Sequence, residues 1–408
     1  MKVALITETY PRQMGYLETG LPKHLAALGA DVHVLATDLA PYHRWVGSHG
    51  DMPAFLKEQS FPAGSIETID GYSVHILRAG SLFGYPFIRG LHQQLRRLRP
   101  DVIYVTAAAG CLPLQAALAR IATGARLFTG NHTGANGFPA MRNPPRTFSI
   151  GNAKILLMRR LPGRLVSLLT EKCYCVTWDC GEVAWRFFGV QRKKVQIAHL
   201  GVDLTLFHPP ESDADHEKRR QVRAKLGFTE NEILCINTGK LTPAKMPQLL
   251  ASAVRTLRAE GRPFRALFIG DGSERAALST FDGSQTLGFM PAAELADYYR
   301  AADIAVWPAT ESISMLDAAA CGTPLLVSDR IYQDHVTGNG YSYPEGDETA
   351  LVEVLRRLQD PALRESLGRT GATKIATEFN WAEIAAARLE DFERAAGFTA
   401  SAGNSGRA

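Results

Sequence analysis

The stretch ILCINTGKLTPAK, residues 233–245, shows how the second half of this 408-residue chain is built. A short apolar run, 233–238, is followed directly by Gly239 and Lys240, and a helical pattern starts at Met246. A buried strand that passes through a short loop into a helix is the repeating unit of a parallel sheet with helices on both faces. The segment therefore predicts an α/β fold.

The same order recurs in both halves of the chain. The predicted strands are Val3–Thr7, Val32–Ala36, Val102–Thr106, Arg126–Thr129, Cys175–Trp178, Ile233–Thr238, Ala266–Ile269, Ile304–Trp307 and Pro324–Val327. The predicted helices are Leu17–Leu28, Ile88–Leu98, Met246–Glu260, Pro291–Ala301, Ser314–Ala320, Glu348–Leu358 and Ala382–Ala396. This pattern predicts two doubly wound, Rossmann-like domains in tandem, whose ligands bind at the carboxyl ends of the strands.

Length and local composition place the domain boundary. A chain of this length exceeds what a single hydrophobic core supports, and the polar, proline-containing segment 203–217 is the predicted connection. We expect an N-terminal domain at 1–203, a C-terminal domain at 204–380 and a tail at 397–408. The final helix, 382–396, either finishes the second domain or crosses back onto the first, and we assign it to the first.

Charge and cysteine content narrow the partners and the compartment. A net charge of +4 fits an anionic ligand or an acidic membrane surface without requiring either. No basic block with interleaved aromatic residues is present, so nucleic acid is not an expected partner. Six cysteines in so long a chain predict a reducing, cytoplasmic compartment. Cys173, Cys175 and Cys180 lack CxxC spacing and a nearby histidine, which favours buried thiols over a metal site.

Two loops of the second half carry the first candidate site residues. Lys240 and Lys245 lie on one strand-to-helix loop, where two ammonium groups can converge on a diphosphate near a helix N-terminus. The alternative is a solvated loop with two unrelated lysines. Gly270-Asp271-Gly272 follows the next strand and allows a sharp turn at the sheet edge. Taken alone, it is equally a plain turn at the end of a strand.

Two further segments add acidic groups and a histidine. In residues 307–324, WPATESISMLDAAACGTP, a loop with Glu311 opens a helix whose first amides can bind phosphate, and Asp317 can accept hydrogen bonds from hydroxyls. Capping of that helix by Ser312 or Ser314 is the alternative. His132 follows an N-domain strand and is placed for chemistry, although a structural histidine remains the alternative.

In their order and spacing these segments resemble the retaining GT-B glycosyltransferases of family 4, the glycosyl transferases group 1. The resemblance covers nearly the whole chain. It also rests on Pro11 with Gly15, Gly29-Ala30-Asp31-Val32, Pro100-Asp101-Val102, His199-Leu200-Gly201-Val202-Asp203, Ala320-Cys321-Gly322-Thr323-Pro324 and Gly338-Asn339-Gly340. It implies two Rossmann-like domains that face a cleft. It further implies an enzyme that moves a sugar, with retention, from a nucleotide-diphosphate sugar to a hydroxyl of a glycan, glycolipid or small molecule, without a cofactor or a metal.

The resemblance also implies roles for individual residues. Lys240 and Lys245 would hold the donor diphosphate, Asp317 the ribose, and His132 would point at the donor sugar and diphosphate. The opening loop of the family carries two adjacent glycines, of which only Gly15 is present here, followed by Tyr16. The rest of the predicted donor site consists of Gly239, Gly270, Gly272, Ser312, Ile313 and Ser314.

Glu311 departs from the family pattern. Seven residues separate the two acidic positions of the family, whereas five separate Glu311 from Asp317. Counting back from Cys321-Gly322 puts Ala309 at the first acidic position. We favour a shorter loop that still delivers the Glu311 carboxylate to the donor sugar over loss of that contact.

The acceptor side and the rival functions rest on weaker signals. Basic residues alternate with leucines over residues 142–168, which predicts either a surface that lies on an anionic membrane at the inner face or an ordinary charged helix face. A non-catalytic nucleotide-sugar or carbohydrate-binding GT-B protein is the rival from another class. A GT-B nucleotide-sugar epimerase is the enzymatic rival, but it needs a further acid/base set that the sequence does not show.

Overall fold

The structure of the protein is a computed structural model that describes residues 1–40, 61–135, 138–142, 150–331 and 333–398. The chain forms two compact units. Unit 1 comprises Met1–Gly201 together with the segment that begins at Trp381, and unit 2 comprises Val202–Asn380. The change of unit after Gly201 lies two residues before the end of the predicted domain 1–203.

Unit 1 is built on an eight-stranded sheet in the order β10-β9-β8-β7-β1-β2-β4-β3. Its neighbours run parallel, except that β3 pairs antiparallel with β4, and β5 and β6 form a separate antiparallel hairpin. The strands are β1 (Lys2–Ile6), β2 (Asp31–Thr37), β3 (Ile66–Ile69), β4 (Tyr72–Leu77), β5 (Ala79–Leu82), β6 (Tyr85–Ile88), β7 (Val102–Val105), β8 (Arg126–Asn131), β9 (Thr170–Cys175) and β10 (Val195–Ile197).

Helices cover the sheet of unit 1. They are α1 (Leu17–Ala27), α2 (Leu91–Leu98), α3 (Cys111–Thr123), α4 (Pro139–Arg142), α5 (Ile150–Ile155), α6 (Leu161–Leu169) and α7 (Trp178–Phe187). A π-helical turn, Leu156–Arg160, joins α5 to α6, and a 3₁₀ turn, Arg192–Lys194, precedes β10. The central strands β1 and β7 are buried along nearly their whole length, as expected for a parallel sheet covered on both faces.

Unit 2 is built on a fully parallel six-stranded sheet in the order β13-β12-β11-β14-β15-β16. The strands are β11 (Ile233–Thr238), β12 (Phe264–Ile269), β13 (Ser284–Leu287), β14 (Ile304–Trp307), β15 (Leu325–Ser328) and β16 (Gly340–Tyr343). The helices are α8 (Asp213–Lys225), α9 (Pro247–Ala259), α10 (Arg275–Leu278), α11 (Ala292–Ala301), α12 (Ser314–Ala320), α13 (Glu348–Arg357) and α14 (Pro361–Glu378), with 3₁₀ turns at Pro243–Lys245 and Gln333–His335.

The last helix, α15 (Trp381–Ala396), belongs to unit 1. Trp381, Ala385 and Phe392 are buried in the same apolar core as Phe128 of β8. Gly20 of α1 faces the indole of Trp381 so closely that a Cβ there would lie 2.4 Å from its Nε1 atom. The packing of these buried residues therefore places the final helix on the first domain, one of the two alternatives that the sequence left open.

Most predicted elements are found, and one strand prediction is wrong. The predicted strand Cys175–Trp178 is in fact the end of β9 and the start of α7. Thr177 is the N-cap residue of α7, and its side chain accepts a hydrogen bond from the Cys180 amide, so the chain turns into a helix there. The predicted helix Ile88–Leu98 starts only at Leu91, because Ile88 is the last residue of strand β6.

None of the helices in the described ranges combines the length and apolarity needed to cross a bilayer. All six cysteines are free thiols, and five of them are buried. The predicted tail 397–408 lies mostly outside the described residues, which end at Phe398.

Candidate active site

The two candidate lysines lie together at the carboxyl end of β11. Lys240 follows the strand, and Lys245 ends the 3₁₀ turn before α9. Both ammonium groups are partly buried, and burial lowers the pKa of each to about 8. The positive charge of Lys240 lowers the pKa of Lys245 further. Two like charges in a poorly solvated loop are unfavourable on their own, so the arrangement favours a bound anion.

The Gly-Asp-Gly turn supports the lysine loop directly. The Gly239 amide donates to the Ile269 carbonyl at 3.0 Å, and the Leu241 amide donates to the Asp271 carbonyl at 2.9 Å. Gly270 has φ +148, and a Cβ there would lie 1.8 Å from the Gly239 oxygen. These glycines are therefore needed for the close approach of two backbones, a role that the sequence alone did not predict for them.

The acidic segment reaches the lysine site although its spacing is shifted. Lys245 Nζ donates to the Glu311 carbonyl oxygen at 2.9 Å, and the Glu311 carboxylate is near enough to raise the pKa of Lys245. Ala309, which occupies the first acidic position of the family pattern, is buried, and its carbonyl accepts from Ser328 Oγ at 3.0 Å. The structure thus brings Glu311, not residue 309, beside the lysines.

The start of α12 is left without a side-chain cap. Ile313 is its N-cap residue and makes no side-chain capping bond, while the hydroxyls of Ser312 and Ser314 bond each other at 2.9 Å. Capping by either serine, the alternative that the sequence left open, is therefore wrong. The predicted binding of phosphate by this segment stays a prediction.

Asp317 lies in a desolvated position on α12. Burial, together with the negative charge of Asp203, raises the pKa of Asp317 to about 8. Burial, together with the charge of Asp317, also raises the pKa of Tyr299, whose hydroxyl bonds Thr238 Oγ1 at 2.7 Å at the end of β11. Asp317 therefore stands by the same strand end that leads into the lysine loop.

His132 lies at the carboxyl end of β8 in unit 1. The side chain of Asn131 fixes its loop by donating to the Thr133 carbonyl at 3.1 Å and to the Cys180 carbonyl at 2.8 Å. The imidazole is exposed toward a cavity, but protein packs densely around its remaining sides. This desolvation, together with the positive charge of Arg388, lowers the pKa of His132 to about 4. The imidazole is therefore neutral near pH 7.

The cavity beside His132 has a volume of about 330 Å³ and is formed by unit 1 alone. Thr106 Oγ1 donates to Thr7 Oγ1 at 3.3 Å, and Thr7 Oγ1 lies 3.3 Å from Glu18 Oε1, to which it donates. All three side chains and Arg159 line the cavity. Burial raises the pKa of Glu18 above its ordinary value. Gly15, with φ +63, lies in the loop that leads to α1 and Glu18.

Sequence reasoning missed Glu18, Arg159 and Arg388 as site residues. Arg388 is almost fully buried, and its guanidinium lies 3.2 Å from the ring centroid of Tyr174. A signal for Arg388 was present, because it interrupts the apolar stripe of the last helix. A signal for Glu18 was also present, since it occupies the first turn of the helix that follows the Gly15 loop. Arg159 belongs to the basic segment 142–168, which the sequence predicts to form an outer surface, but in the structure it lines the cavity.

Comparisons with known proteins find family matches in both units of the chain. Residues 20–206 match the family model described as Glycosyltransferase Family 4, and residues 232–360 match the model described as Glycosyl transferases group 1. A curated D-inositol 3-phosphate glycosyltransferase from Jonesia denitrificans is 31% identical over 228 residues, which are 51% of this chain and 53% of the relative. The relative of the same name from Rhodococcus erythropolis is 27% identical over 266 residues, 58% of this chain and 57% of the relative. The chain spans about half the length of the curated relatives it matches.

Solved structures share the fold over nearly the whole chain. Sucrose-phosphate synthase from Thermosynechococcus elongatus superposes with a TM-score of 0.70 at 17% identity, covering 98% of this chain and 100% of that one. The Anabaena protein HepE in complex with UDP gives a TM-score of 0.69 at 14% identity, covering 97% of this chain and 100% of that one. These likenesses establish the GT-B fold, and the two family matches show that this chain belongs to the family 4, group 1 glycosyltransferases.

Proposed function

We propose that the protein transfers a sugar from a nucleotide-diphosphate sugar to a hydroxyl acceptor, with the donor bound by unit 2. The observation that carries this proposal is the pairing of Lys240 with Lys245. Two poorly solvated ammonium groups, each with a pKa of about 8, gain most when a diphosphate lies between them. The relative HepE in complex with UDP supports uridine diphosphate as the first nucleotide to test.

Each remaining donor contact has a counterpart in unit 2. Glu311 beside Lys245 would bind the donor sugar, and Asp317 would bind a ribose hydroxyl. The backbone amides of Ser312, Ile313 and Ser314, just before and at the start of α12, would add hydrogen bonds to the phosphates. These donors and cations would stabilise the negative charge that grows on the leaving diphosphate.

We propose further that transfer retains the anomeric configuration and needs no metal. The departing diphosphate oxygen would take the proton of the acceptor hydroxyl on the same face of the sugar. The two lysines would offset the leaving-group charge that a divalent cation offsets in other transferases. His132, neutral near pH 7, would donate or accept a hydrogen bond without adding a charge. We expect no cofactor beyond the donor substrate.

A binding and turnover assay tests the proposal. Thermal melting of the full chain is measured with UDP, GDP, ADP and their sugar conjugates, because a ligand that binds only the folded state raises the melting temperature. The same mixtures are then followed for sugar release or transfer in the presence of EDTA, and the anomeric configuration of the product is read by NMR. Unchanged melting with every nucleotide would contradict the donor site.

The same assay separates the rival functions. Melting shifts without any hydrolysis or transfer would favour a non-catalytic binding protein. Interconversion of sugar nucleotides without release of the nucleotide would favour an epimerase. The two lysines do not distinguish these rivals, since all three functions bind a nucleotide diphosphate, so turnover is the deciding measurement.

We also propose that unit 1 binds reversibly to an anionic membrane. Exposed aliphatic side chains cover the outer surface of the π-turn, α6 and the neighbouring α3; they are Leu118, Ile121, Leu156, Leu157, Leu161, Leu165 and Leu168. Lys154, Arg160 and Arg164 are exposed beside them, whereas Arg159 is not part of this surface. An apolar surface with adjacent cations fits the headgroup region of an anionic leaflet. The free thiols support the reducing, cytoplasmic side.

Co-sedimentation with vesicles tests the membrane proposal. We expect binding to vesicles with phosphatidylglycerol and much less to pure phosphatidylcholine, with loss of binding at high salt. Leu165, 62% exposed, and Leu168 are changed together to serine, and Ile66→Ser, at a position 64% exposed on strand β3, is the matched control. Equal sedimentation of both variants would contradict this surface.

A further inference from the structure

Unit 1 has a second cavity, the amino-end cavity, at the other end of its sheet. Its volume is about 620 Å³, and it is lined by the ends of α2 and α3, by the segments that lead from them into β7 and β8, and by Ala396 of α15. It lies at the amino ends of β7 and β8, whereas His132 follows the carboxyl end of β8. At about 3.3 Å per residue, the six residues of β8 separate these two ends by about 17 Å. The amino-end cavity is therefore separate from the candidate active site.

Three arginines from two segments line the amino-end cavity. Arg96 and Arg99 come from the end of α2, and Arg126 is the first residue of β8. A backbone hydrogen bond holds the two segments together, since the Arg126 amide donates to the Asp101 carbonyl at 2.9 Å. Three guanidinium groups around one concave surface attract a multiply charged anion.

The carboxylates of this region do not balance the three positive charges. Asp101 also lines the cavity, and its Oδ2 accepts a hydrogen bond from a backbone amide of β1 at 2.7 Å. Oε1 of Glu171 lies 3.4 Å from Arg126 and is shared with a second arginine. For Arg96 and Arg99, the described part of the chain contains no carboxylate within ion-pairing distance. The cavity therefore carries a net positive charge.

Arg99 occupies a backbone position that arginine does not favour. It ends α2 in the left-handed region, with φ +48 and ψ +59, and its amide donates to the Leu95 carbonyl at 2.9 Å. Helix α3 ends in the same region with Gly124, which adopts this conformation without a steric penalty. A glycine at position 99 would end α2 equally well. The arginine is therefore explained by its side chain and not by its backbone.

Favourable interaction with the helix dipole explains only part of this cluster. Arg96 and Arg97 lie in the last turn of α2, where a cation stabilises the carbonyl end of the helix. Arg99 lies beyond that turn, and Arg126 begins a strand. Arg97 is exposed as well, but it does not line the cavity. What the three lining arginines share is thus the cavity and not the helix end.

We propose that the amino-end cavity binds a ligand with two or more phosphate charges through Arg96, Arg99 and Arg126. A guanidinium group binds phosphate oxygens through paired hydrogen bonds. All three side chains are exposed, so each ion pair is weak and a single phosphate group binds poorly. A ligand that reaches all three guanidinium groups binds best. This site does not depend on the proposed transferase function.

The phosphates can belong to a free compound or to the headgroup of a lipid. An exposed apolar surface begins beside the cavity, because Ile121, which is 69% exposed, directly precedes the lining residue Ala122 on α3. The two sources present the same chemistry to the arginines. The experiments below therefore measure the free anion and the lipid separately.

Titration calorimetry of the full chain with inorganic pyrophosphate tests the site. Pyrophosphate should also bind at Lys240 and Lys245, so we expect two classes of sites, of which UDP displaces one. Lys245→Ala should weaken that class and leave the other unchanged. The remaining class should bind pyrophosphate about tenfold more tightly than orthophosphate and should weaken as the salt concentration rises. A single class that UDP displaces and Lys245→Ala weakens would overturn the inference.

Variants tie the second class of sites to the cavity. Arg99→Gly keeps the left-handed backbone and removes the guanidinium, and Arg126→Gln changes the cavity from the other segment. Each should weaken pyrophosphate at this class by about three- to tenfold. Arg97→Gln is the matched control, because it removes the same charge two residues away, and it should leave the affinity within about twofold. Equal weakening by Arg97→Gln and Arg99→Gly would indicate a diffuse charge effect and would overturn the site.

Vesicles distinguish the two sources of phosphate. Co-sedimentation is measured with phosphatidic acid, whose phosphate monoester can carry two charges, and with phosphatidylglycerol at equal surface charge, both in phosphatidylcholine. A preference for phosphatidic acid that Arg99→Gly abolishes and pyrophosphate competes away assigns a lipid headgroup. Equal sedimentation with both lipids, with the second class of pyrophosphate sites intact, assigns a free compound. If both ligands bind Arg99→Gly and Arg126→Gln as they bind the wild type, neither occupies this cavity and the inference is wrong.

Discussion

The ammonium nitrogen of Lys245 lies 2.9 Å from the backbone carbonyl oxygen of Glu311, to which it donates a hydrogen bond. This bond joins the lysine loop to the acidic segment across 66 positions of the chain. It explains how a shortened acidic motif still reaches the lysine loop. The loop before α12 brings residue 311 to the lysines, while residue 309 is buried in the core.

Removal of one lysine tests the anion site. We expect Lys245→Ala to weaken UDP binding by about 10- to 100-fold, because a charge-assisted hydrogen bond to phosphate contributes about 1.5–3 kcal/mol. The melting temperature without ligand should hardly change. The substitution removes the hydrogen bond to the Glu311 carbonyl, but it also removes a charge whose burial is unfavourable in the empty site. Isothermal titration measures the affinity. Lys218→Ala, at an exposed lysine of the same unit that pairs with Asp297, is the control and should bind UDP normally.

The pH dependence of UDP binding should follow the lysine protons. A lysine is cationic below its pKa and neutral above it, and both lysines have a pKa of about 8 in the empty site. A bound diphosphate raises these pKa values. Above pH 8 the lysines of the empty site are partly neutral, so the protein must take up protons when UDP binds. We expect the dissociation constant to increase roughly tenfold per pH unit between about pH 8 and 9.5 for each lysine involved. A constant affinity over this range would remove the lysines from the site.

The role of Glu311 can be separated from that of the lysines. We expect Glu311→Gln to reduce transfer by roughly 100-fold or more while UDP affinity at pH 7 changes little, since the carboxylate is proposed to contact the sugar. Glu311 also raises the pKa of Lys245. Its loss should therefore shift the pH midpoint of UDP binding downward. A pH profile identical to that of the wild type would show that the carboxylate is remote from Lys245.

Local patterns predicted the elements around the candidate donor site. Strand β11 and helix α12 lie where the sequence placed them, because each is a short apolar or alanine-rich run bounded by glycine or proline. Lys240, Lys245 and Asp317 all surround the end of β11, as expected from parallel strands that end at one edge of a sheet. Residues that follow a strand in sequence also follow it in space, so this part of the site could be read from the chain.

Other site residues depend on packing that the sequence does not display. Arg159 stands among leucines and basic residues, and only the π-helical turn rotates it toward the aromatic rings of Tyr85, Phe138 and Phe188. Arg388 reaches the surroundings of His132 from the last helix of the chain. Such approaches join segments far apart in sequence. The sequence shows Arg388 as a charged residue on an otherwise apolar helix face, but it does not show which residues Arg388 approaches.

Arg388 provides a test of the protonation state of His132. The positive charge of Arg388 contributes to the low pKa of His132, about 4, so His132 should cause no loss of activity as the pH falls from 8 to about 5. In Arg388→Met this pKa should rise, and the acid limb of the kcat profile should move to higher pH. His132→Ala serves as the reference, with transfer reduced by roughly 100-fold or more and UDP binding retained. An unchanged acid limb in folded Arg388→Met would contradict the coupling.

The glycine at 270 should be indispensable for the donor site. Its φ of +148 is unfavourable for other residues, and a Cβ there would lie 1.8 Å from the carbonyl oxygen of Gly239. Backbone atoms cannot yield as the end of a flexible side chain can, so Gly270→Ala must push the lysine loop away from the turn at 270–272. We expect a lower melting temperature together with loss of UDP binding.

A second glycine separates backbone strain from this collision. Gly261 has φ +76, but a Cβ there meets nothing within 4 Å. Gly261→Ala should therefore cost only about 1 kcal/mol of stability and leave UDP affinity unchanged. If Gly270→Ala behaved like Gly261→Ala in both measurements, the lysine loop would not depend on its contact with the turn. A larger effect at 270, with UDP binding lost even below the melting transition, would instead show that two glycine-bearing loops position Lys240 and Lys245 as one unit.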